Sequence, residues 1–574
     1  VGTDAQRDNI VGYIQGDPTY NPDGWKLGDI FHSTPINIGT PNAFFDDIRD
    51  QNNTYTCNTA TVNGFGKFRC DNSRTSANGL RLIVTGANDG QFHAFKTADG
   101  SEKWSFVPPN LLPQLQTLAH TTNPSALVHP YLVDGPVTVA DVWWKSAGGT
   151  DDGTNKVSAD WHTLAIFGEG KGGANLWSSD NQCDSNYQDT ADATYHHYCG
   201  YYAFDLTNAA SIPASYKWHL GGTSAISASD QPYLGAPWSK MMVGRVRYTS
   251  GGVVYEKWVG FIGGGYNGSD CSGGGACGVC DCRGKGFYVV DLSNGHILWS
   301  YTYGDDVNMK YSVPATPAIV DTDQDGFIDT AYVGDLKGNM WRFKFCRAAD
   351  MPDCGISGQT VNWTGGRLYN SATVQPIFQT ATVALDNQRN SWIYWGTGNK
   401  EVPKDTGSGG TIFGIKDNDR STTYAIANLK NISTAGQTYG TAETADGYYI
   451  NLPGTGEKML ADPTVFGGVV YFTTYSPPTG GDICLQGGTA SLYALNYTSG
   501  DGAFGGSARV MSLGAGIASS PMISMKPGGS TIADIYVTLS GGSGIAASTQ
   551  RVNFNPPGLS NRVNILNWRD RRIQ

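Results

Sequence analysis

The stretch LIVTGANDGQFHAFKTADGSEKW, residues 82–104, decides the fold that the sequence predicts. It contains an apolar run ending at Gly86, a turn at 88–90, an alternating segment around Ala94, and a second turn before Trp104. β-Branched and aromatic residues between Asn, Asp and Gly turns are typical of short antiparallel strands. Similar phrases recur as YYAFDLTNAA (201–210), KGFYVVDLSNGHILW (285–299), AYVGDLKGNMWRF (331–343), WIYWGTGNK (392–400) with TIFGIKD (411–417), and ASLYALNYTSG (490–500).

A second phrase precedes most copies of the first and begins with proline. A small or polar residue, a proline and an alternating apolar segment occur together at Pro35, Pro136, Pro237, Pro317, Pro376, Pro463 and Pro521. Proline at the first residue of a strand removes no ladder hydrogen bond, so each phrase predicts a half-buried strand. Four-stranded units that repeat about seven times must stack on each other, which favours radial closure. The sequence therefore predicts an all-β, modified seven-bladed β-propeller; an open sandwich is the alternative.

The spacing of the units is irregular, so long inserts are expected between the strands. We expect one domain over residues 1–574, with loop insertions at 40–80 and 265–285. Glycine is abundant, at 76 of 574 residues, and only 16% of residues are charged, which suits strands and turns better than long surface helices.

The charge and hydropathy of the chain exclude two classes of partner. A net charge of -11 argues against a nucleic-acid surface, because phosphate contacts need clustered Lys and Arg. No apolar run approaches the roughly 20 residues that a membrane span needs. The start, VGTDAQRDNI, has no signal-peptide apolar region and is expected to be a processing or fragment boundary.

The eleven cysteines indicate an oxidising compartment outside the cytoplasm. Three local pairs would each close a polar or Gly-rich loop: Cys57 with Cys70, Cys183 with Cys199, and Cys346 with Cys354. The cluster CSGGGACGVCDC suits disulfides, zinc or an iron-sulfur centre, and its pairing stays open. Its members are Cys271, Cys277, Cys280 and Cys282.

The unit GANDGQFHAFKTADGSEKWSFVP (86–108) resembles the blades of quinoprotein-type propellers, and its form is similar to the C-terminal domain of PilC/PilY-type proteins of type IV pili. Other phrases fit that family in the same order: LGDIFHSTP (27–35), WGTGNK (395–400), FGIKD (413–417), VVYFTTYSPP (469–478) and CLQGGTASLYALN (484–496). The resemblance implies a tip-associated adhesin and pilus biogenesis factor that regulates extension and retraction through contacts with minor pilins. It also implies export through the periplasm to the cell surface, and a host or surface receptor as a further partner. The N-terminal region that family members commonly have is not evident in this sequence.

The stretch DTDQDGFID, residues 321–329, predicts a metal site. Oxygens at positions 1, 3, 5, 7 and 9, with glycine at 6, form the first part of a calcium loop of the EF-hand type. The predicted ligands are Asp321, Asp323, Asp325, the carbonyl of Phe327, and Asp329. Four crowded carboxylates repel each other unless a cation lies among them, and Ca²⁺ accepts flexible oxygen coordination. A solvated Asp-Gly turn is the alternative, and the family resemblance implies a calcium loop here.

A quinone-dependent dehydrogenase is the alternative function, because enzymes that use pyrroloquinoline quinone share the architecture. Such enzymes characteristically have two adjacent cysteines stacked on the cofactor, and this sequence contains no Cys-Cys pair. The histidines, among them His32, His93, His196 and His197, show no metal-ligand spacing with the cysteines. The chain is therefore predicted not to be an enzyme, and no catalytic residue is assigned.

Overall fold

The computed structural model of the chain describes most of its length. The described residues are 3–22, 24, 26–42, 57, 64–120, 130–145, 149–174, 200–212, 214–220, 233–267, 283–407, 409–417, 421–440, 443–479, 487–525, 533–541, 547–554 and 564–565.

Sheets made mainly of antiparallel strands follow one another along the described chain. The first contains β1 (Ile36–Ile38), β2 (Leu82–Gly86), β3 (Phe92–Lys96) and β4 (Glu102–Phe106). The second contains β5 (Val137–Trp143), β6 (Trp161–Gly168), β7 (Tyr201–Asp205) and β8 (Ser215–His219). The third contains β9 (Met242–Ser250), β10 (Val253–Gly263), β11 (Gly286–Asp291) and β12 (Ile297–Thr302). The fourth contains β13 (Ala318–Val320), β14 (Thr330–Gly334), β15 (Met340–Lys344) and β18 (Thr364–Tyr369), with the small parallel pair β16 (Cys354–Gly355) and β17 (Val361–Asn362) between its last two strands.

The remaining sheets continue the same succession. The fifth contains β19 (Thr382–Leu385), β20 (Ser391–Gly396), β21 (Thr411–Asp417), β22 (Lys430–Asn431) and β23 (Gly447–Asn451), and β32 (Asn564–Ile565) pairs with β19. The sixth contains β24 (Lys458–Met459), β25 (Thr464–Phe466), β26 (Val469–Ser476), β27 (Thr489–Asn496) and β28 (Val510–Ala515). The seventh contains β29 (Met522–Met525), β30 (Ala533–Leu539) and β31 (Ser548–Phe554).

Each pair of consecutive sheets shares one hydrophobic core. Between the first and second sheets, the ring of Phe92 stacks on Phe167 with centroids 4.2 Å apart. Between the third and fourth, Phe287 stacks on Phe343 at 3.9 Å. The chain is mostly β-strand, so the all-β prediction is confirmed, and because each sheet packs on the next in chain order, the stacking is that of a propeller. The number of blades stays a prediction, since the seventh sheet has three strands in the described part of the chain.

In the described residues, three α-helices lie outside the sheets. They are α1 (Asp4–Ile14), α2 (Gly64–Asp71) and α3 (Leu112–His120). Thr3 caps α1, because its hydroxyl accepts a hydrogen bond from the Gln6 N–H at 3.3 Å. No helix in the described ranges is long and apolar enough to cross a membrane.

The predicted insertions fall inside sheets. Residues 40–80 connect β1 to β2 and contain α2, whose Phe65 packs edge-on against Trp161 of the second sheet at 4.8 Å. Residues 265–285 connect β10 to β11, and most of them lie outside the described residues. The division of the chain into one domain with these insertions stays a prediction.

Two of the predicted disulfides are confirmed. Cys57 and Cys70 are bonded, with Cα atoms 5.4 Å apart, and so are Cys346 and Cys354, at 5.6 Å. The predicted Cys183–Cys199 pair and the cluster at Cys271, Cys277, Cys280 and Cys282 lie outside the described residues.

Candidate metal centre

The acidic loop, residues 321–329, connects β13 to β14 of the fourth sheet. The two strands pair in antiparallel register up to Val320 and Thr330, and the Asp329 N–H donates to the Val320 carbonyl at 3.0 Å. Gly326 has a φ of 90°, a conformation that glycine adopts without strain, and it takes the sharp bend that a calcium loop needs. The sequence-based prediction of a strand-loop-strand element is thus confirmed.

Three of the predicted ligands converge in this loop. Oxygen atoms of Asp321, Asp323 and Asp325 all lie within 4.8 Å of one another. The loop curls around Asp321, whose carboxylate accepts hydrogen bonds from the N–H of Asp325 at 3.1 Å and of Gly326 at 2.7 Å. Asp325 in turn accepts from the Phe327 N–H at 2.9 Å. Such turns fix the carboxylates of alternate residues on one side of the loop.

Asp323 has one carboxylate oxygen with a hydrogen-bond partner and one without. Its Oδ2 accepts a hydrogen bond from the N–H of Ala348 at 2.9 Å, whereas its Oδ1 is buried without a hydrogen-bond partner among the described residues. A buried carboxylate oxygen that no donor satisfies is costly, and Ca²⁺ would satisfy it.

The pKa values of two carboxyl groups in the loop are raised, so their charged forms are disfavoured when no cation is bound. Burial raises the pKa of Asp321 to about 6, and the charges of Asp325, Asp329 and Asp323 add to that rise. Burial also raises the pKa of Asp325, although the Arg247 guanidinium opposes the rise. The loop without a cation therefore holds negative charge at a cost in free energy.

Asp329 occupies a different position from the three converging carboxylates. Its Oδ2 accepts hydrogen bonds from the Thr322 N–H at 2.8 Å and hydroxyl at 2.7 Å, and its Oδ1 accepts from the Thr330 hydroxyl at 2.7 Å. Asp329 thus ties the start of the loop to its end, and its role as a ligand stays a prediction.

Two apolar residues anchor the loop on the third sheet. The buried ring of Phe327 lies under the guanidinium groups of Arg245 and Arg247, at 4.8 and 4.7 Å from its centroid. Ile328 packs so closely against Gly244 that a Cβ atom added to Gly244 would lie 2.6 Å from the Ile328 side chain. These contacts position the backbone whose Phe327 carbonyl is the remaining predicted ligand.

Sequence reasoning missed two groups that contact the acidic loop. Arg247, which lies on β9, donates a hydrogen bond to Asp325 Oδ2 at 2.6 Å. The N–H of Ala348, which lies within the Cys346–Cys354 loop, donates to Asp323. The alternation in GRVRYTS, residues 244–250, predicts that Arg245 and Arg247 lie on one face of a strand. It does not predict which loop that face contacts.

Residues 27–446 match the family described as the PilY1 beta-propeller domain, and this range contains the acidic loop and the first four sheets. The chain belongs to the PilY1 β-propeller family. Membership confirms both the resemblance in the sequence and the propeller class of the fold.

Known relatives of this family cover most of the chain. A type IV pilus biogenesis factor PilY1 homolog from Xylella fastidiosa is 24% identical over 88% of this chain, and the factor PilY1 from Pseudomonas aeruginosa strain PAK is 25% identical over 87%. The chain spans 32% and 41% of the lengths of those two proteins.

A solved structure has the same fold. The crystal structure of the PilY1 C-terminal domain of Pseudomonas aeruginosa matches with a TM-score of 0.54 and 19% identity, over 89% of this chain and 99% of that one. At this identity the likeness concerns the fold alone.

Proposed function

We propose that this chain is a calcium-binding, pilus-associated propeller of the type IV pilus machinery, located at the cell surface after export through the periplasm. The observation that supports it most is the convergence of Asp321, Asp323 and Asp325, with a buried, unsatisfied oxygen on Asp323, inside a PilY1 β-propeller. The relatives named as pilus biogenesis factors support the pilus role.

Calcium would act on the fourth sheet and on the segment that follows it. Burial and, to a smaller extent, repulsion from the neighbouring carboxylates raise the pKa of Asp321; a cation among the carboxylates offsets both, so the bound state of β13 and β14 is more stable. Asp323 also holds the first residue of the short 3-10 helix Ala348–Asp350, so the cation orders that segment as well. Ordering of this surface changes contact with minor pilins, and in this way calcium adjusts pilus extension, retraction and adhesion.

A pull-down with purified minor pilins tests the proposal. We expect calcium to change the amount of minor pilin captured by the wild-type chain, and we expect Asp325→Asn to abolish that change. Asp353→Asn is the matched control, because Asp353 is an exposed aspartate on the neighbouring disulfide loop and should leave the calcium response intact. An equal capture with and without calcium, or a response that survives in Asp325→Asn, contradicts the proposal.

No observation in the described residues favours the dehydrogenase alternative. Solved quinoprotein structures are only distantly similar to this chain, and shared architecture does not by itself confer activity. The relatives are named as biogenesis factors, which is consistent with a role other than catalysis.

A further inference from the structure

A cavity of about 960 Å³ lies where the first strands of the sheets meet. Its lining includes residues of all seven sheets or of the segments that enter them: Ile36, Val137, Met242, Thr316, Thr380, Asp462 and Met522. A cavity surrounded by every first strand is the central channel of a propeller, and concave sites of this size bind small ligands. We call it the central cavity.

A group of six aromatic side chains in mutual ring contact, which we call the aromatic collar, includes three that line the central cavity: His32, Trp238 and Phe378. The collar consists of Phe31, His32, Tyr131, Trp238, Tyr266 and Phe378. Trp238 lies at its middle, stacked on Tyr266 at 4.0 Å and 6.1 Å from Phe378. Phe31 is 60% exposed, so part of the collar offers a flat apolar surface to solvent.

Charged groups of both signs lie inside the collar. Lys171 lies over the Tyr131 ring at 4.7 Å and pairs with Glu401 at 2.9 Å. The buried Asp134 accepts a hydrogen bond from the Nδ1 of His32 at 2.5 Å, which leaves the ring's Nε2 without a partner among the described residues.

Lys400 lines the central cavity and is a cation whose ammonium group has no polar partner in the described part of the protein. Its side chain is open to water in the cavity, and within the described ranges its ammonium group makes no hydrogen bond or ion pair. The protein around the cavity partly desolvates the ammonium group and lowers its pKa, while the charges of Asp462, Asp134 and Glu401 oppose that effect from beyond contact distance. The cation and the carboxylates thus face each other across a gap.

From this arrangement we propose that the collar end of the central cavity binds the ring of a neutral sugar. Hydroxyl groups donate to carboxylates and accept from ammonium groups, so a polyhydroxylated ring satisfies both kinds of group across the gap. The aromatic rings supply flat surface for the apolar face of a pyranose. A strongly charged ligand is disfavoured, because the lysines and aspartates that line the cavity balance: Lys171, Lys240, Lys400, Asp134, Asp141 and Asp462.

This site is independent of the acidic loop. Trp238 and Phe378 lie on segments that enter the first strand of a sheet, and Tyr266 and Lys400 lie between the second and third strands. The acidic loop joins a first strand to a second strand, so the antiparallel order places it at the opposite end of the sheets.

Saturation-transfer NMR with the whole chain tests the inference. The probes are the methyl glycosides of galactose, glucose and mannose, together with N-acetylglucosamine. We expect at least one probe to receive saturation from the wild-type chain, and we expect Lys400→Met and Phe378→Ala each to reduce the transfer by at least about fivefold. Absence of transfer to all four probes, or transfer that Lys400→Met leaves unchanged, overturns the proposal.

The controls separate this site from general effects. Lys337→Met is the matched variant, because Lys337 lies at the same end of the sheets, beside Tyr311 at 5.8 Å, but does not line the central cavity. It should keep full transfer, and so should the wild-type chain in EDTA. Galacturonate that binds where no neutral probe does would contradict the claim that the ligand is uncharged. Phe378→Leu replaces Phe378→Ala if circular dichroism shows that the alanine variant is unfolded.

Discussion

Arg247 is the residue whose charge competes most directly with a cation in the acidic loop. It donates to Asp325 Oδ2 at 2.6 Å and is about four-fifths buried, so its attraction for that carboxylate is only partly screened. Removing it frees Asp325 Oδ2 and removes a positive charge that repels Ca²⁺. We therefore expect Arg247→Met to raise calcium affinity by about fivefold, or about 1 kcal/mol, while it lowers the stability of the calcium-free chain.

Isothermal titration with calcium measures this effect. Arg551→Met is the control, because it breaks another Arg–Asp pair, at 2.9 Å to Asp534, in the seventh sheet. Weaker calcium binding by Arg247→Met than by the wild-type chain would contradict the assignment of the loop.

His93 gives the chain a pH dependence that is separate from calcium. Burial lowers its pKa, but hydrogen bonds and charges from Asp89, at 3.0 Å, and Glu102, at 2.5 Å, raise it more, so the folded pKa lies above the ordinary value. A histidine whose pKa is higher in the folded chain contributes its full stabilisation at pH values below its pKa in the unfolded chain, about 6.5. This contribution is lost as the pH rises through the pKa that the histidine has in the folded chain. Each unit of rise in the folded pKa corresponds to about 1.4 kcal/mol.

We expect the melting temperature of the wild-type chain to fall as pH rises from 6 through the folded pKa, and we expect His93→Gln to flatten this part of the profile. Thermal melts monitored by circular dichroism at several pH values measure it. An identical slope in both proteins would show that His93 is not held between the two carboxylates.

At the residue scale, the spacing of Asp321, Asp323 and Asp325 predicted that their carboxylates would lie close together, because it fixes their positions on a turn, whereas the ligand role predicted for Asp329 stays a prediction. It could not predict that Asp323 would contact Ala348 or that Arg247 would contact Asp325. Both contacts join segments that are far apart in the sequence, so they depend on packing and not on local spacing.

The Cys346–Cys354 loop is the element that connects the acidic loop to the protein surface. It holds Ala348, whose N–H positions Asp323, and its Cys346 Sγ accepts a hydrogen bond from the Trp363 indole at 3.3 Å. Groups that orient a metal ligand typically change metal affinity by 10–100-fold when they are lost. We expect the double variant Cys346→Ser/Cys354→Ser to bind calcium about tenfold more weakly than the wild-type chain.

The other disulfide provides the control for this prediction. Cys57→Ser/Cys70→Ser removes a bridge at α2, which packs on the second sheet, so it should lower stability without changing calcium affinity. Equal losses of affinity in the two double variants would mean that the effect comes from general destabilisation. Calorimetric titration of both proteins distinguishes these outcomes.

The contact between the fourth and fifth sheets depends on a buried ion pair. Arg342 of β15 pairs with Asp417 of β21 at 2.6 Å, and the Tyr332 hydroxyl donates to the same carboxylate at 2.8 Å. Removing one partner leaves the other charged and buried, so we expect Arg342→Met to lower the free energy of unfolding by about 3–5 kcal/mol.

Urea unfolding measures this loss. Arg7→Met serves for comparison, because Arg7 pairs with Asp4 and Asp8 on the exposed surface of α1 and should cost about 1 kcal/mol or less. A loss of similar size in both variants would contradict the buried interface between these sheets.

At the scale of elements, the sequence predicted the strands better than the helices. The strand phrases alternate and contain turn residues, and two of them end at tryptophans that lie in β4 and β12: Trp104 and Trp299. Helix α2 lies in a segment rich in Gly and Asn, and it is held by Phe65 against Trp161 and by the Cys57–Cys70 bridge. Such tertiary support is not visible in local sequence.

For the whole molecule, the repeated units predicted the propeller class because each sheet must cover its neighbours. The central cavity could not be predicted, since its collar joins residues from Phe31 to Phe378 that meet only when the sheets surround one axis. The pilus role rests on the family, and the chain spans 32% and 41% of the lengths of two relatives, so that role is a proposal for this chain.

The central claim is that one Ca²⁺ binds in the acidic loop. A crystal structure of the chain grown with calcium, with anomalous difference density measured at the loop, tests it most directly. We predict one anomalous peak coordinated by Asp321, Asp323 and Asp325, joined by the Phe327 carbonyl and Asp329. A loop that contains only water at millimolar calcium would contradict the account.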